Sequence, residues 1–180
     1  MLIEPAHSCL LIIDVQEKLI KAISESQQVL ENCAWLIQLA QTLNIPLLVS
    51  EQYPQGLGPT VLSLRPLFNP EVLMEKVHFS CVAEEHCKAR LESLQRRQVI
   101  IGGIESHVCV LQTAIDLLKM GKEVFIVADA VSSRRLSDKE LALARLRDVG
   151  IHIVSKEMVF FEWLHQAATP LFKQLSKQFL

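Results

Sequence analysis

Residues 99–118, VIIGGIESHVCVLQTAIDLL, read as a buried strand, a sharp turn and an amphipathic helix in succession. Val99, Ile100 and Ile101 form an apolar run without alternation, which suits a strand covered on both faces. Gly102 and Gly103 permit the turn, and Val108, Leu111, Ile115 and Leu118 then recur at helical spacing. Cys109 falls in the first turn of that helix, near the positive end of the backbone dipole. A thiol there is expected to favour its thiolate form, which is the nucleophile.

The same rhythm extends in both directions. Residues 9–14, 45–50, 123–128 and 151–155 are short apolar runs, and 72–77 is a weaker one. Between them Val29, Cys33, Leu36, Ala40 and Leu43 mark one helical stripe, and Cys87, Leu91 and Leu94 mark another. A further helix is expected to open with Ser137 and Glu140 as a capping box, with Leu136 and Leu141 as its hydrophobic staple. Strands alternating with helices over the whole length predict one domain, residues 1–180, built as a three-layer α/β/α sandwich. Residues 51–71 hold four prolines and two glycines and read as a long loop, of the kind that is usually functional or mobile. From Glu157 onward the chain is dense in large apolar side chains. That density suits either a subunit contact in a homo-oligomer or a cover for the chain's own sheet.

Composition narrows the partners. A net charge of -2 gives no reason to expect nucleic acid or an anionic membrane. No apolar run approaches the ~18 residues of a membrane span. The opening MLIEPAHS lacks the features of an export signal, so a cytoplasmic protein with reduced thiols is expected. Cys9, Cys33 and Cys87 sit at apolar positions and read as core residues, while Cys81 has no evident place.

In an open parallel sheet, ligands bind beyond the carboxyl ends of the strands. Asp14 closes the first strand, Lys76 closes the weak one, and Cys109 follows the strand that ends in GGI. An ammonium near the sulfur favours thiolate, and a carboxylate beside both can accept the thiol proton and return it to a leaving group. An aspartate directly after five apolar residues also needs a cation, because a buried unpaired charge is costly. The residues alone leave a second reading open: Asp14 caps a turn and Lys76 is a solvated charge.

LLIIDVQEKL, then EKVHFSC, then GIESHVCVLQTAIDL together resemble the isochorismatase-like cysteine hydrolases, and SEQYPQGLGPT is similar to the uncharacterised isochorismatase-domain branch. The resemblance implies a Rossmann-like domain with a six-stranded, mainly parallel sheet, and a catalytic triad of Asp14, Lys76 and Cys109. It also implies a non-proline cis peptide at Ile104–Glu105, with the N–H groups of Glu105 and Cys109 forming an oxyanion hole. The reaction implied is hydrolysis of a small amide or related C–N bond through a Cys109 thioester. Gln16, Tyr53 and Phe79 are candidates for contact with the small-molecule substrate.

Departures from relatives sharpen this reading. Nicotinamidases carry an Asp-x-His pair and a further histidine for a metal, whereas this chain has Ser50, Glu51 and Gln52 at that place. Its six histidines show no convergent ligand spacing, so neither metal nor other cofactor is expected. His107 is two residues from the cysteine and is read as structural or at the rim. True isochorismatases cleave a vinyl ether around an anionic substrate, but Arg65 is the only arginine in the long loop. GGIESH lacks the third glycine of a dinucleotide site. Two other functions remain in view: a scaffold that retains the triad with little activity, and a thiol redox sensor in which Cys81 resolves an oxidised Cys109.

Overall fold

A computed structural model describes residues 1–180. Its strands are β1 (Ser8–Ile13), β2 (Leu47–Gln52), β3 (Leu73–Lys76), β4 (Gln98–Ile104), β5 (Glu123–Ser132) and β6 (His152–Val154). They form one six-stranded sheet in the order β3-β2-β1-β4-β5-β6, and every pairing is parallel. The helices are α1 (Ser26–Thr42), α2 (Pro54–Leu57), α3 (Glu85–Ser93), α4 (Leu111–Lys119), α5 (Leu136–Asp148), α6 (Lys156–Leu164) and α7 (Pro170–Phe179).

Successive strand residues point to opposite faces, so a run with no polar member must be covered twice. Leu10, Ile12, Leu47, Val49, Ile100 and Phe125 pack with α1, α6 and α7 in one core. Cys9, Leu11, Ile13, Leu48, Val99 and Ile101 pack with α3, α4 and α5 in the other. The result is the three-layer α/β/α arrangement that the strand–helix alternation predicts. No helix is long and apolar enough to cross a membrane.

The aromatic C-terminal segment is spent mainly on the chain's own core. Val159, Phe160, Trp163, Leu175 and Phe179 are buried, and Trp35 meets Phe179 edge to face at 5.4 Å between ring centres. Phe161 and Leu171 remain exposed. The expected capping box at Ser137 does not form. α5 starts at Leu136 with Arg135 at its cap and no side-chain cap bond, which puts Ser137 already inside the helix. Leu141 is 70% exposed and staples nothing. A capping box is found instead at α6, where Ser155 accepts from the backbone N–H of Met158.

The long loop is pinned rather than loose. The Gln16 side-chain amide donates to the carbonyls of Gln52 (2.9 Å) and Gly58 (2.6 Å). Glu51 accepts from the Thr60 backbone and hydroxyl, and Val61 and Leu64 are buried.

All five cysteines are free and buried. Burial pushes the thiols of Cys9, Cys33 and Cys87 up to about 12 and that of Cys81 to about 11, from an ordinary 9.0. A raised folded-state value means that the native chain keeps protons the unfolded chain has lost. The associated stability is whole below pH 9 and drains away as pH rises toward 11–12, by up to about 1.4 kcal/mol per pH unit for each thiol. Urea midpoints should therefore hold up to about pH 9 and fall steeply from there to about pH 10.5; a flat profile would contradict this account.

Candidate active site

β1 lies between β2 and β4, and the chain visits β2 and β3 on one side before returning to β4 on the other. Carboxyl ends of neighbouring strands whose connections run opposite ways leave a crevice between them. The residues at those ends are the chemically distinctive ones. Asp14 follows β1, Gln52 and Lys76 end β2 and β3 as partners in register, and Glu105 follows β4.

Asp14 and Lys76 are joined at 2.7 Å, both side chains fully excluded from solvent. The second Asp14 oxygen accepts from the Ser50 hydroxyl at 2.7 Å. Lys76 directs its ammonium at Asp14, at the side-chain oxygen of Gln52 (2.6 Å) and at the His78 carbonyl (3.4 Å). Burial, the largest influence, would lower the Lys76 value, but Asp14 and the sulfurs of Cys81 and Cys109 together outweigh it, so Lys76 titrates above its ordinary 10.5. Glu84 braces the segment after Lys76 by accepting from the backbone of Val77 and His78.

Cys109 sits in a π-helical turn, Ser106–Val110, that runs directly into α4. Its sulfur is 3.9 Å from the Gln52 side-chain oxygen. The thiol is shifted upward, by burial first and then by Asp14, while Lys76 opposes both. This corrects the expectation of a resting thiolate: a partial dipole charge does not offset burial beside a carboxylate. Burial and Asp14 together favour the neutral thiol over the thiolate. The sulfur faces a cavity of about 280 Å³ whose apolar wall is Leu19, Leu57, Phe79 and Val108, with Gln52, Glu105 and Arg134 completing it.

The peptide bond between Ile104 and Glu105 is cis. The Glu105 side chain accepts from Arg134 Nε at 2.6 Å, so the cavity's arginine is already paired. His107 bonds the Ser133 hydroxyl at 2.9 Å and lines a separate cleft with Gln112 and Arg145. Arg65 pairs with Glu17, away from the cavity lining.

Two of the expected substrate contacts lie outside the lining of the cavity at Cys109. Gln16 is fully buried, and its amide is consumed holding Gln52, whose N–H it also accepts at 2.7 Å. Tyr53 lines an adjoining groove with Pro54 and Glu75 rather than the cavity at Cys109. Phe79 does line that cavity. Gln52, Ser50 and Arg134 are the members that the sequence reading missed. The strand-end rule that singled out Lys76 also reaches Gln52, its neighbour in register.

Residues 8–158 match the Isochorismatase domain family. The chain is similar to isochorismatase domain-containing protein 2 of Danio rerio, with 43% identity over 94% of this chain and 85% of that protein. It is similar in structure to a protein described as MAR1 ribonuclease from Caenorhabditis elegans. There the TM-score is 0.91 and identity 35%, covering 98% of this chain and 91% of the other. The YcaC gene product of Escherichia coli, described as an octameric hydrolase of unknown specificity, shares the fold at TM-score 0.89. Identity there is 20%, over 99% of this chain and 96% of that one. With the family match covering both the Asp14 and the Cys109 segments, the chain belongs to the isochorismatase domain family, whose members are hydrolases.

Proposed function

We propose that this protein is a metal-independent cysteine hydrolase that cleaves a small amide or related C–N bond with Asp14, Lys76 and Cys109. The observation that carries the reading is the fully buried Asp14–Lys76 pair beside a thiol that opens onto a cavity of small-molecule size. Because the thiol is neutral at rest, deprotonation is coupled to attack. Asp14 takes the Cys109 proton as the sulfur bonds to the substrate carbonyl carbon. The N–H groups of Glu105 and Cys109 receive the oxygen that becomes negative. The C–N bond then breaks, and the departing amine takes the proton from Asp14. Water next attacks the thioester while giving a proton to Asp14; the C–S bond breaks and the proton returns to sulfur. Lys76 keeps its charge throughout and stabilises the carboxylate between its two protonations.

The cavity favours substrates without a large net charge. Its walls are mostly apolar, and its one arginine already has a carboxylate partner. These features also argue against phosphodiester cleavage, which the description of the Caenorhabditis elegans relative raises, since strand tracking needs clustered free cations. An octameric relative supports a homo-oligomer here, with exposed Phe161 and Leu171 available for subunit contact. Five free thiols fit a reducing compartment such as the cytoplasm.

The test is to incubate the protein with pooled small amides, quench in acid and weigh the Cys109 peptide, with RNA in a parallel arm. An acyl-sized adduct on Cys109 is expected, RNA is expected to stay intact, and Cys109→Ala is expected to lose both adduct and turnover. Full turnover by Cys109→Ala would overturn the mechanism. A blank panel, with Cys109 no more reactive than a free thiol, would favour a scaffold. A Cys81–Cys109 crosslink after mild peroxide would favour a redox sensor.

A further inference from the structure

We propose that Gln52 is a positioning residue that tunes the sulfur: its side-chain oxygen meets both the Lys76 ammonium and the Cys109 thiol and limits how much positive charge the sulfur receives. This rests on the reading of Cys109 as the nucleophile.

The amide can sit only one way round. An ammonium has no acceptor, so Gln52 must turn its oxygen toward Lys76, and it does so at 2.6 Å. A carbonyl has no donor, so the nitrogen must face the Val77 oxygen, at 2.6 Å. The backbone beneath is held equally firmly, since Gln16 accepts from the Gln52 N–H and donates to its carbonyl. Held at both ends, the amide leaves its oxygen 3.9 Å from the sulfur.

Two consequences follow for the reacting group. Each of the three Lys76 hydrogens has an oxygen to meet: Asp14, Gln52 and His78. With Gln52 in place, the ammonium shares its hydrogens among these oxygens, which weakens its hold on the sulfur. The same oxygen is an acceptor for the thiol hydrogen, and an amide oxygen is far too weak a base to remove it. Gln52 therefore aims a neutral thiol and leaves proton removal to Asp14.

Two substitutions of similar size should move the sulfur in opposite directions. Gln52→Met removes the oxygen, so a Lys76 hydrogen turns toward sulfur and the thiolate is favoured. Gln52→Glu adds a carboxylate beside the sulfur, and the thiolate is disfavoured. A nearby charge shifts such a group by about one pH unit or more. Alkylation of Cys109 at pH 7.5, followed by peptide mass, should thus become about tenfold faster in Gln52→Met and about tenfold slower in Gln52→Glu. Running iodoacetamide beside the smaller methyl methanethiosulfonate separates charge from access, because an access effect would differ between the reagents. Should Gln52→Met fail to fold, Gln52→Asn, which draws the amide back by one methylene, is expected to shift in the same direction as methionine. Opposite shifts that agree between reagents bear the proposal out. Unchanged rates, or both variants moving the same way, overturn it while leaving the nucleophile assignment intact. A wild-type Cys109 that no reagent modifies, together with an active Cys109→Ala, overturns both.

Discussion

Lys76→Met is expected to cost about 3–5 kcal/mol of stability and to abolish turnover, because it strands a buried carboxylate. With both side chains of the pair fully excluded from solvent, Asp14 would keep only the Ser50 hydroxyl on one of its oxygens. Combining Lys76→Met with Asp14→Asn should recover most of the lost stability, since neither position then carries charge. Asparagine is the suitable partner, because position 14 has φ 52, a left-handed conformation that asparagine tolerates better than most residues. The double variant should nevertheless stay inactive, having no base for the Cys109 proton. Urea unfolding and turnover, measured on the same preparations, separate the two effects. A single variant as stable as wild type would mean that the carboxylate finds water the structure does not offer it.

Gly103→Ala is expected to be at least as damaging, on the order of 4 kcal/mol or more, and to reach the site indirectly. Gly103 has φ +111, and an added Cβ would lie 2.1 Å from the Ile13 carbonyl oxygen and 2.6 Å from the Ile13 nitrogen. Those atoms are backbone in β1, so relief requires β1 and β4 to separate. Ile13 directly precedes Asp14, and Gly103 lies two residues before Glu105, so any separation pulls the carboxylate away from the sulfur. Gly121→Ala is the control. It too has a positive φ, +78, but nothing lies within 4 Å of its added carbon. It should cost only about 1 kcal/mol, or roughly 2–4 °C in a chain of this size. Equal melting temperatures for the two variants would refute the steric account.

The strands were legible because apolar runs covered on both faces leave a strong composition signal. β5 shows where that signal fails. The apolar run 123–128 is broken at Asp129, yet the strand continues to Ser132. Asp129 is accommodated because its carboxylate accepts from the Lys156 backbone N–H and its backbone carbonyl accepts from the Asn32 side chain, partners distant in sequence. Asp14, Lys76 and Cys109 were legible as strand-end residues of complementary chemistry. The direction of Gln16 was not, since its amide is captured by Gln52 and Gly58 across a loop whose path no local pattern specifies. The titration of Cys109 is not legible in sequence for a related reason. A helix terminus is visible in sequence, whereas the depth of burial and the nearness of Asp14 arise only when separate strands assemble.

The strand order carries one more implication. Base, ammonium and amide belong to the early stretch of the polypeptide, whereas the sulfur and its N–H donors come later, across the β1–β4 seam. A half-made or nicked molecule whose seam has not closed possesses a thiol without a proton acceptor, or an acceptor without a thiol. On the proposed mechanism, reactivity is in this way licensed by completed folding, and partly synthesised chains offer a substrate no assembled site.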